Sequence, residues 1–306
     1  MTAAVSVIFN ADDFGLTRSI CDAVEKSHRE GVLTSATLLS GSPHAMYAAE
    51  IARRNPSLSV GLHFQLVAGT PVTADLSRIR TLVGPDGRFC ENYVRFFRKF
   101  HTGGIDKNEI MIELLNQARR AYCLGVKPTH ADSHQHIHMH PALLPVFVEA
   151  ARVAGIKKFR DPVEPYRPAL HGRLNLSSGN IIKAAVMNPF YKRWYARRMA
   201  RAGMNCPSLF FGQYCSGRMT ADRMATFLEY IKEKYIRNIE CDNRGGLFVE
   251  IMTHPGLSAA EFDSIELCDD DFRKYQWRGE FDALVSGPVV GAFAGGPMRL
   301  AGYSEL

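Results

Sequence analysis

The chain has 306 residues, 46% hydrophobic and 22% charged, the balance of a globular protein and not of a disordered one. Its formal net charge is +6, but Pro165 to Ala221 contains no Asp or Glu and carries +9, so the remainder carries −3. One local basic stretch is not the footprint of a nucleic-acid-binding protein, and no nucleic-acid partner is expected. The N-terminal residues lack the basic region and small-residue cleavage site of a secretory signal. The uncharged stretch Ala283 to Met298 is interrupted by Gly287, Pro288, Gly291, Gly295, Gly296 and Pro297, and it is shorter than the ~20 apolar residues that span a bilayer. Seven cysteines (Cys21, Cys90, Cys123, Cys206, Cys215, Cys241 and Cys268) include no C-x-x-C pair, so neither a disulfide framework nor a cysteine zinc site is expected. The expected location is cytoplasmic.

Strand and helix patterns alternate along the chain. Val5 to Asn10 is a short apolar run suited to a buried strand. A helix is predicted from Arg18 to Glu30, with Thr17 as N-cap and Gly31 as stop. Val32 to Ser40 is the second strand, Ser42-Pro43 opens a helix running to Arg54, and Ser59 to Leu66 is the third strand. After an irregular stretch with a helix near Tyr93 to Phe100 come a helix from Lys107 to Leu124 and a strand from Pro128 to about Gln135. A helix from Pro141 to Ala154 and a strand from Lys157 to Asp161 follow. Later elements are a strand near Ser208 to Tyr214, a helix from about Thr220 and a strand from Leu247 to Thr253.

This alternation implies parallel strands joined by helical crossovers. No glycine fingerprint follows the first strand, which reads Asn10-Ala11-Asp12-Asp13-Phe14-Gly15, and that disfavours a dinucleotide fold. The preferred fold class is therefore α/β, a distorted (β/α) TIM-like barrel. Its active site is expected at the C-terminal strand ends. We expect a single domain over residues 1–306, with a basic insertion at about 163–207.

The chemistry-bearing residues cluster at those ends. Asp12 and Asp13 leave a buried apolar strand side by side, where two carboxylates are costly unless they bind something. A divalent cation resolves the repulsion, with one Asp as ligand and the other as general base; an N-cap followed by a turn residue is the competing explanation. His63 ends the third strand and is weak evidence alone. The run from His130 to His140 places His or Asp at every even position, which packing does not readily explain. One carboxylate and two histidines from three strand ends form an open three-ligand set with room for water. His254, in Thr253-His254-Pro255-Gly256, is positioned to protonate a leaving amine or is a plain turn residue. Arg160 either orients the base through a charge-assisted pair or is an ordinary surface arginine.

Taken in order, Asn-Ala-Asp-Asp-Phe-Gly, Gly-Leu-His-Phe, Asp-Ser-His-x-His-x-His-Met and Thr-His-Pro-Gly resemble the YdjC-like carbohydrate deacetylases, from Val5 to about Gly256. The resemblance implies a metal-dependent hydrolase that removes the acetyl group from an N-acetylated amino sugar. It implies Asp12 as base, Asp13, His63 and His134 as ligands to one divalent cation (magnesium or zinc), and His254 as general acid. The His-x-His-x-His-Pro ending at Pro141 and the stretch near Phe210 look closest to the hopanoid-biosynthesis-associated branch. That branch is linked to an N-acetylglucosaminyl hopanoid, a lipid-linked sugar. The basic segment 183–201, with Phe190, Trp194, Tyr195, Met199 and Ala202 at helical spacing, is either a peripheral contact to an anionic inner membrane or a helix packed on the barrel. A homo-oligomer is compatible with the sequence. Two other functions stay open: a metal-dependent phosphoesterase, and a non-catalytic, metal-stabilised protein of the membrane surface.

Overall fold

The computed structural model describes residues 5–171, 178–236, 246–258, 261 and 272–306. Arg173, Cys241 and Cys268 lie outside them. The strands are β1 (Val5–Phe14), β2 (Ser35–Leu38), β3 (Ser59–Phe64), β4 (Ala131–Ser133), β5 (Leu209–Phe211), β6 (Leu247–Thr253) and β7 (Met298–Leu300). The helices are α1 (Arg18–Glu30), α2 (Ala45–Arg54), α3 (Tyr93–His101), α4 (Lys107–Cys123), α5 (Leu144–Val153), α6 (Pro168–His171), α7 (Ser178–Arg201), α8 (Ala221–Ile231), α9 (Trp277–Leu284) and α10 (Gly287–Gly291).

All strand pairs are parallel, in the order β4-β3-β2-β1-β6-β5, with β7 also on β1. Isolated pairings curl this sheet almost into a ring. Ala131 of β4 bridges Phe159, and Lys158 bridges Asn205, just before β5. Phe159 N–H donates to Asn205 O and Asn205 N–H to Lys157 O, each at 2.9 Å. The architecture is a distorted parallel barrel. Every residue of β1 is buried, because β1 is flanked on both sides and covered by helices, which is why it reads as an apolar run.

Local chemistry explains the element ends. Thr17 caps α1 by accepting from Ile20 N–H at 3.0 Å, and Gly31 follows the helix. Asn92 caps α3 and Asp106 caps α4 through their side chains. Helix α2 starts later than Ser42-Pro43 suggests: Ser42 Oγ–H is turned to the carbonyls of Gly15 and Leu39, and its hydroxyl caps no helix. The expected strand Pro128 to Gln135 shrinks to three residues, and Lys157 to Asp161 contributes only bridges. The first ends because Gln135 and His136 adopt left-handed backbone, φ 52° and 51°.

At the opposite end of the barrel the C-terminal residues close the sheet. β7 pairs with Val5 to Val7 of β1, below the point where β2 joins it. Tyr303 follows, fully buried, its ring stacked on His130 at 3.6 Å and 3°. Gly61 makes this packing feasible, since a Cβ there would sit 2.5 Å from His130 Cε1.

The apolar stripe of α7 faces the protein: Tyr195 and Met199 are buried, Tyr191 and Trp194 half-buried. For these residues packing is the outcome, whereas Phe190 of the predicted stripe is exposed. Among the described residues no helix is long and apolar enough to cross a membrane.

Candidate active site

Consecutive residues on a regular strand point to opposite faces, so Asp12 and Asp13 cannot both face one site without a break. β1 supplies it. Its register with β2 shifts between Ala11 and Phe14, and Asp13 takes φ 60°, a left-handed value that Asp tolerates better than most residues. Such a bulge re-aims side chains, and here it brings both carboxylates to the strand end.

The two carboxylates then meet different partners. Asp12 accepts Arg160 Nη2–H on Oδ1 at 2.6 Å and Nη1–H on Oδ2 at 2.7 Å. Its Oδ1 also accepts from Asn10 Nδ2 at 2.9 Å and lies 3.5 Å from the Thr37 hydroxyl. Burial alone would raise the Asp12 pKa, but the Arg160 charge and its two hydrogen bonds outweigh burial and hold the carboxyl well below its usual range. Asp13 has no such clamp. His134 Nδ1 is 2.9 Å and His63 Nε2 3.5 Å from its Oδ1, yet neither is aligned as a hydrogen bond, and this buried oxygen has no hydrogen-bond partner.

Asp13, His63 and His134 each offer one atom, all within 4.8 Å of one another, and all three residues are buried. An unpartnered carboxylate oxygen among imidazole nitrogens is a group that could hold a divalent cation. His63 shows the support such ligands receive. Its other nitrogen, Nδ1, lies 2.6 Å from Asp132 Oδ1, because His63 and Asp132 are register partners on β3 and β4. Burial pushes the His63 pKa down, but the Asp132 carboxylate more than reverses this and takes it up to about 9. A second group, Asp12, His63 and Asp132, is equally compact, but both its acids already pair with Arg160.

Arg160 is fully buried and touches three acids. Besides Asp12, its Nε–H donates to Glu250 Oε1 at 2.8 Å, and Nη1 makes a close ionic contact of 2.7 Å with Asp132 Oδ2. Glu250 is the lone acid of β6; burial raises its pKa to about 7 against the pull of Arg160. His254 follows β6, whose Thr253 pairs with Ala11, so it sits beside Asp12 at the same strand end. Its backbone N–H donates to buried Glu280 at 2.5 Å, and its ring lies against Tyr275 and Trp277. The buried Nδ1 of His254 has no hydrogen-bond partner.

The remaining histidines of the run go elsewhere. Extended geometry does not persist past Ser133. The left-handed pair Gln135 and His136 turns the chain, and the Ser133 hydroxyl closes the turn by accepting His138 N–H at 3.1 Å. His138 is thereby buried, His136 packs on Phe210, and His140 packs against Phe97 and edge-on against Phe100 of α3. Sequence reasoning assigned no role to Asp132, Glu250, Glu280 or Asn10. Glu250 carried a signal, being one acid inside the buried run Leu247 to Thr253 and thus in need of a partner. The pairing of Asp132 with His63 required the strand register.

Arg160→Ala leaves three buried acids without their cation. We expect a loss of about 3–5 kcal/mol in urea unfolding. Arg160→Lys should recover only part of it, because a lysine keeps the charge without the two-pronged fork. A loss in the alanine variant no larger than that of a surface substitution would show that the acids take up protons instead.

The chain matches the YdjC-like protein family over residues 6–294. It is 40% identical over 148 residues to a carbohydrate deacetylase of Vibrio vulnificus (strain CMCP6), covering 48% of this chain and 56% of that protein. It is 36% identical over 167 residues to a carbohydrate deacetylase of Geobacillus stearothermophilus, covering 55% and 62%. The matched stretches thus span a little over half the length of these curated relatives. A solved structure from Enterococcus faecalis V583, assigned by name to cellobiose-phosphate cleavage, superimposes with a TM-score of 0.73 over 98% of both chains at 23% identity, a likeness of fold. With the family matched from the first strand almost to the C-terminus, the chain belongs to the YdjC-like family.

Proposed function

We propose that this protein is a metal-dependent hydrolase that removes the N-acetyl group from an N-acetylated amino sugar. The observation that carries the reading is the division of labour between adjacent carboxylates. Asp13 has an orphaned oxygen among two imidazoles, and Asp12 is held ionised by Arg160. The names of the relatives, carbohydrate deacetylases, point to the same chemistry.

Asp13, His63 and His134 would hold the cation, magnesium or zinc, which when bound supplies Lewis acidity toward the acetamide carbonyl and toward water. Asp12 serves as general base. Its Oδ1 is saturated by Arg160 and Asn10, whereas Oδ2 accepts from Arg160 alone, so Oδ2 is the atom that receives the proton. The clamp keeps this carboxylate ionised and oriented, at some cost in basicity. His254 Nδ1, buried and unpartnered, is the site from which the departing amine takes its proton. Acetate and a free amino sugar result. A phosphoesterase using the same ligands is less well supported, because Arg160, the cation beside the paired carboxylates, spends its donors on Asp12 and Glu250 and its charge on Asp132 as well.

The finer reading is a lipid-linked substrate such as an N-acetylglucosaminyl hopanoid. Its support is the outer face of α7. Phe190 is 74% exposed, and Arg193, Arg197 and Arg201 share its face at helical spacing, all exposed. Lys192 does not belong to that face: its Nζ is 2.7 Å from buried Asp161. This face suits peripheral contact with an anionic bilayer.

Ligand assignment is tested by metal analysis of the purified variants. His63→Ala and His134→Ala should each lose most bound metal and acetate release, and full occupancy in either would sink the ligand set. Asp12→Asn should retain metal but lose turnover by a factor on the order of 10² or more, as for a missing general base. Near-normal acetate release would assign that role to another group. For the finer reading, changing Arg193, Arg197 and Arg201 to Gln should remove up to ~1 kcal/mol each of attraction to anionic vesicles. Activity on a short soluble N-acetylated sugar should stay unchanged; unaltered vesicle co-sedimentation would leave the membrane contact without support.

A further inference from the structure

We propose that Tyr303, three residues from the C-terminus, is a positioning residue for the reaction: through Glu250 it locks the Arg160 fork that aims Asp12. The inference rests on the deacetylase reading for its kinetic test. Tyr303 lies beyond the stretch matched by the family, which ends at residue 294.

The connection is a short buried chain. The Tyr303 hydroxyl donates to Glu250 Oε2 at 2.5 Å, Arg160 Nε–H donates to Glu250 Oε1 at 2.8 Å, and both Nη groups of Arg160 donate to Asp12 at 2.6 and 2.7 Å. Tyr303, Glu250 and Arg160 are each completely buried. A carboxylate with two oxygens and one guanidinium partner in a dry interior has two ways to satisfy itself. It can take a second donor, or it can rotate until both oxygens engage the guanidinium. The second choice would pull Arg160 toward Glu250 and compete with its bidentate grip on Asp12. The Tyr303 hydroxyl provides the second donor. Glu250 then meets Arg160 through Oε1 alone, which accepts from Nε–H and lies 2.8 Å from Nη2, while both Nη groups keep their hydrogen bonds to Asp12.

The tail that delivers Tyr303 is fixed independently of the hydroxyl. The ring stacks on His130, and Lys158 Nζ donates to the carbonyls of Tyr303 and Ser304 at 2.6 and 2.7 Å. Ser304 Oγ is 3.0 Å from the Ser59 hydroxyl, and Ala301 N–H donates to Val7 O at 2.9 Å. Removing one oxygen therefore leaves the tail seated. This separates positioning from mere structure, which deleting the tail would not do.

The test compares Tyr303→Phe, Glu250→Gln and the double variant in the full-length, zinc-loaded protein. For Tyr303→Phe, kcat for acetate release from a soluble N-acetylated sugar should fall about tenfold, the size usual for losing a supporting hydrogen bond behind a reacting group. KM and bound zinc should not change. The double variant should lose no more than Glu250→Gln alone, since both act through one chain. An activity-independent readout is the Arg160 Nε–H resonance in a 15N–1H spectrum of the metal-free protein, which should move in Tyr303→Phe while the unfolding midpoint holds. Wild-type kcat with an unmoved Arg160 resonance would overturn the proposal. So would a joint loss of zinc, KM and thermal midpoint, the pattern of a structural role. If the wild-type protein releases no acetate, the deacetylase reading fails alone, and the Arg160 resonance still decides whether Tyr303 sets that fork.

Discussion

Arg160 is completely buried, and a guanidinium withdrawn from water needs carboxylates around it that return what hydration gave. It has them in Asp12 and Glu250, to which it donates hydrogen bonds, and in Asp132, held as a close ion pair. These acids come from β1, β6 and β4, so the pairings of one side chain span the barrel. Three buried acids thus share one guanidinium, and Asp13 lies beside them without it. This imbalance explains why burial drives Glu250 up to about 7 and why His63, beside Asp132, is drawn up to about 9. A divalent cation between Asp13, His63 and His134, whose donor atoms lie within 4.8 Å of one another, would relieve the same imbalance at its upper end.

Much of this was legible from residue order because the chemistry sits where strands end. The alternation of apolar runs and amphipathic stretches gave the parallel architecture, and strand ends gave Asp12, Asp13, His63, His134 and His254. What was not legible was backbone conformation that side chains alone do not announce. Nothing in Asp12-Asp13 says that Asp13 will adopt φ 60°, yet without it the two carboxylates would point apart. Nothing in the alternating histidines says that Gln135 and His136 will turn left-handed, and extended geometry was the natural expectation. Tyr303 was invisible for a different reason: more than fifty residues separate it from Glu250, and only the closing of the barrel brings them together.

The basic segment shows how composition misleads when it is not divided by face. Its charge and its aromatics look like one membrane-binding surface when read as a string. In α7 the two separate. Tyr195 and Met199 pack inward, the Tyr195 hydroxyl donates to Arg160 O at 2.8 Å, and Lys192 turns to Asp161. Part of the helix is thus committed to holding the segment that delivers Arg160. Only Phe190 and the arginines on its side are left to meet anything outside the protein.

Within the site, most polar atoms are satisfied, and the exceptions are informative. Asn10 and Arg160 fill one oxygen of Asp12; Asp132 fills one nitrogen of His63; Glu280 takes the backbone N–H of His254. Four buried atoms of these residues keep no hydrogen bond: Asn10 Oδ1, Asp132 Oδ2, Asp13 Oδ1 and His254 Nδ1; Asp132 Oδ2 has the Arg160 ion pair, and Asp13 Oδ1 and His254 Nδ1 are the two that face the candidate reaction site. An unpaired buried polar atom costs about 1–3 kcal/mol, and a fold that supplies partners to the neighbours of these two has the means to supply theirs. The two orphans have different chemistry. One is an anionic oxygen flanked by imidazoles, suited to a cation. The other is a ring nitrogen beside the ionised Asp12, suited to a group that gains a proton. The proposed amide hydrolysis would use both, a cation held at the oxygen and a proton delivered from the nitrogen.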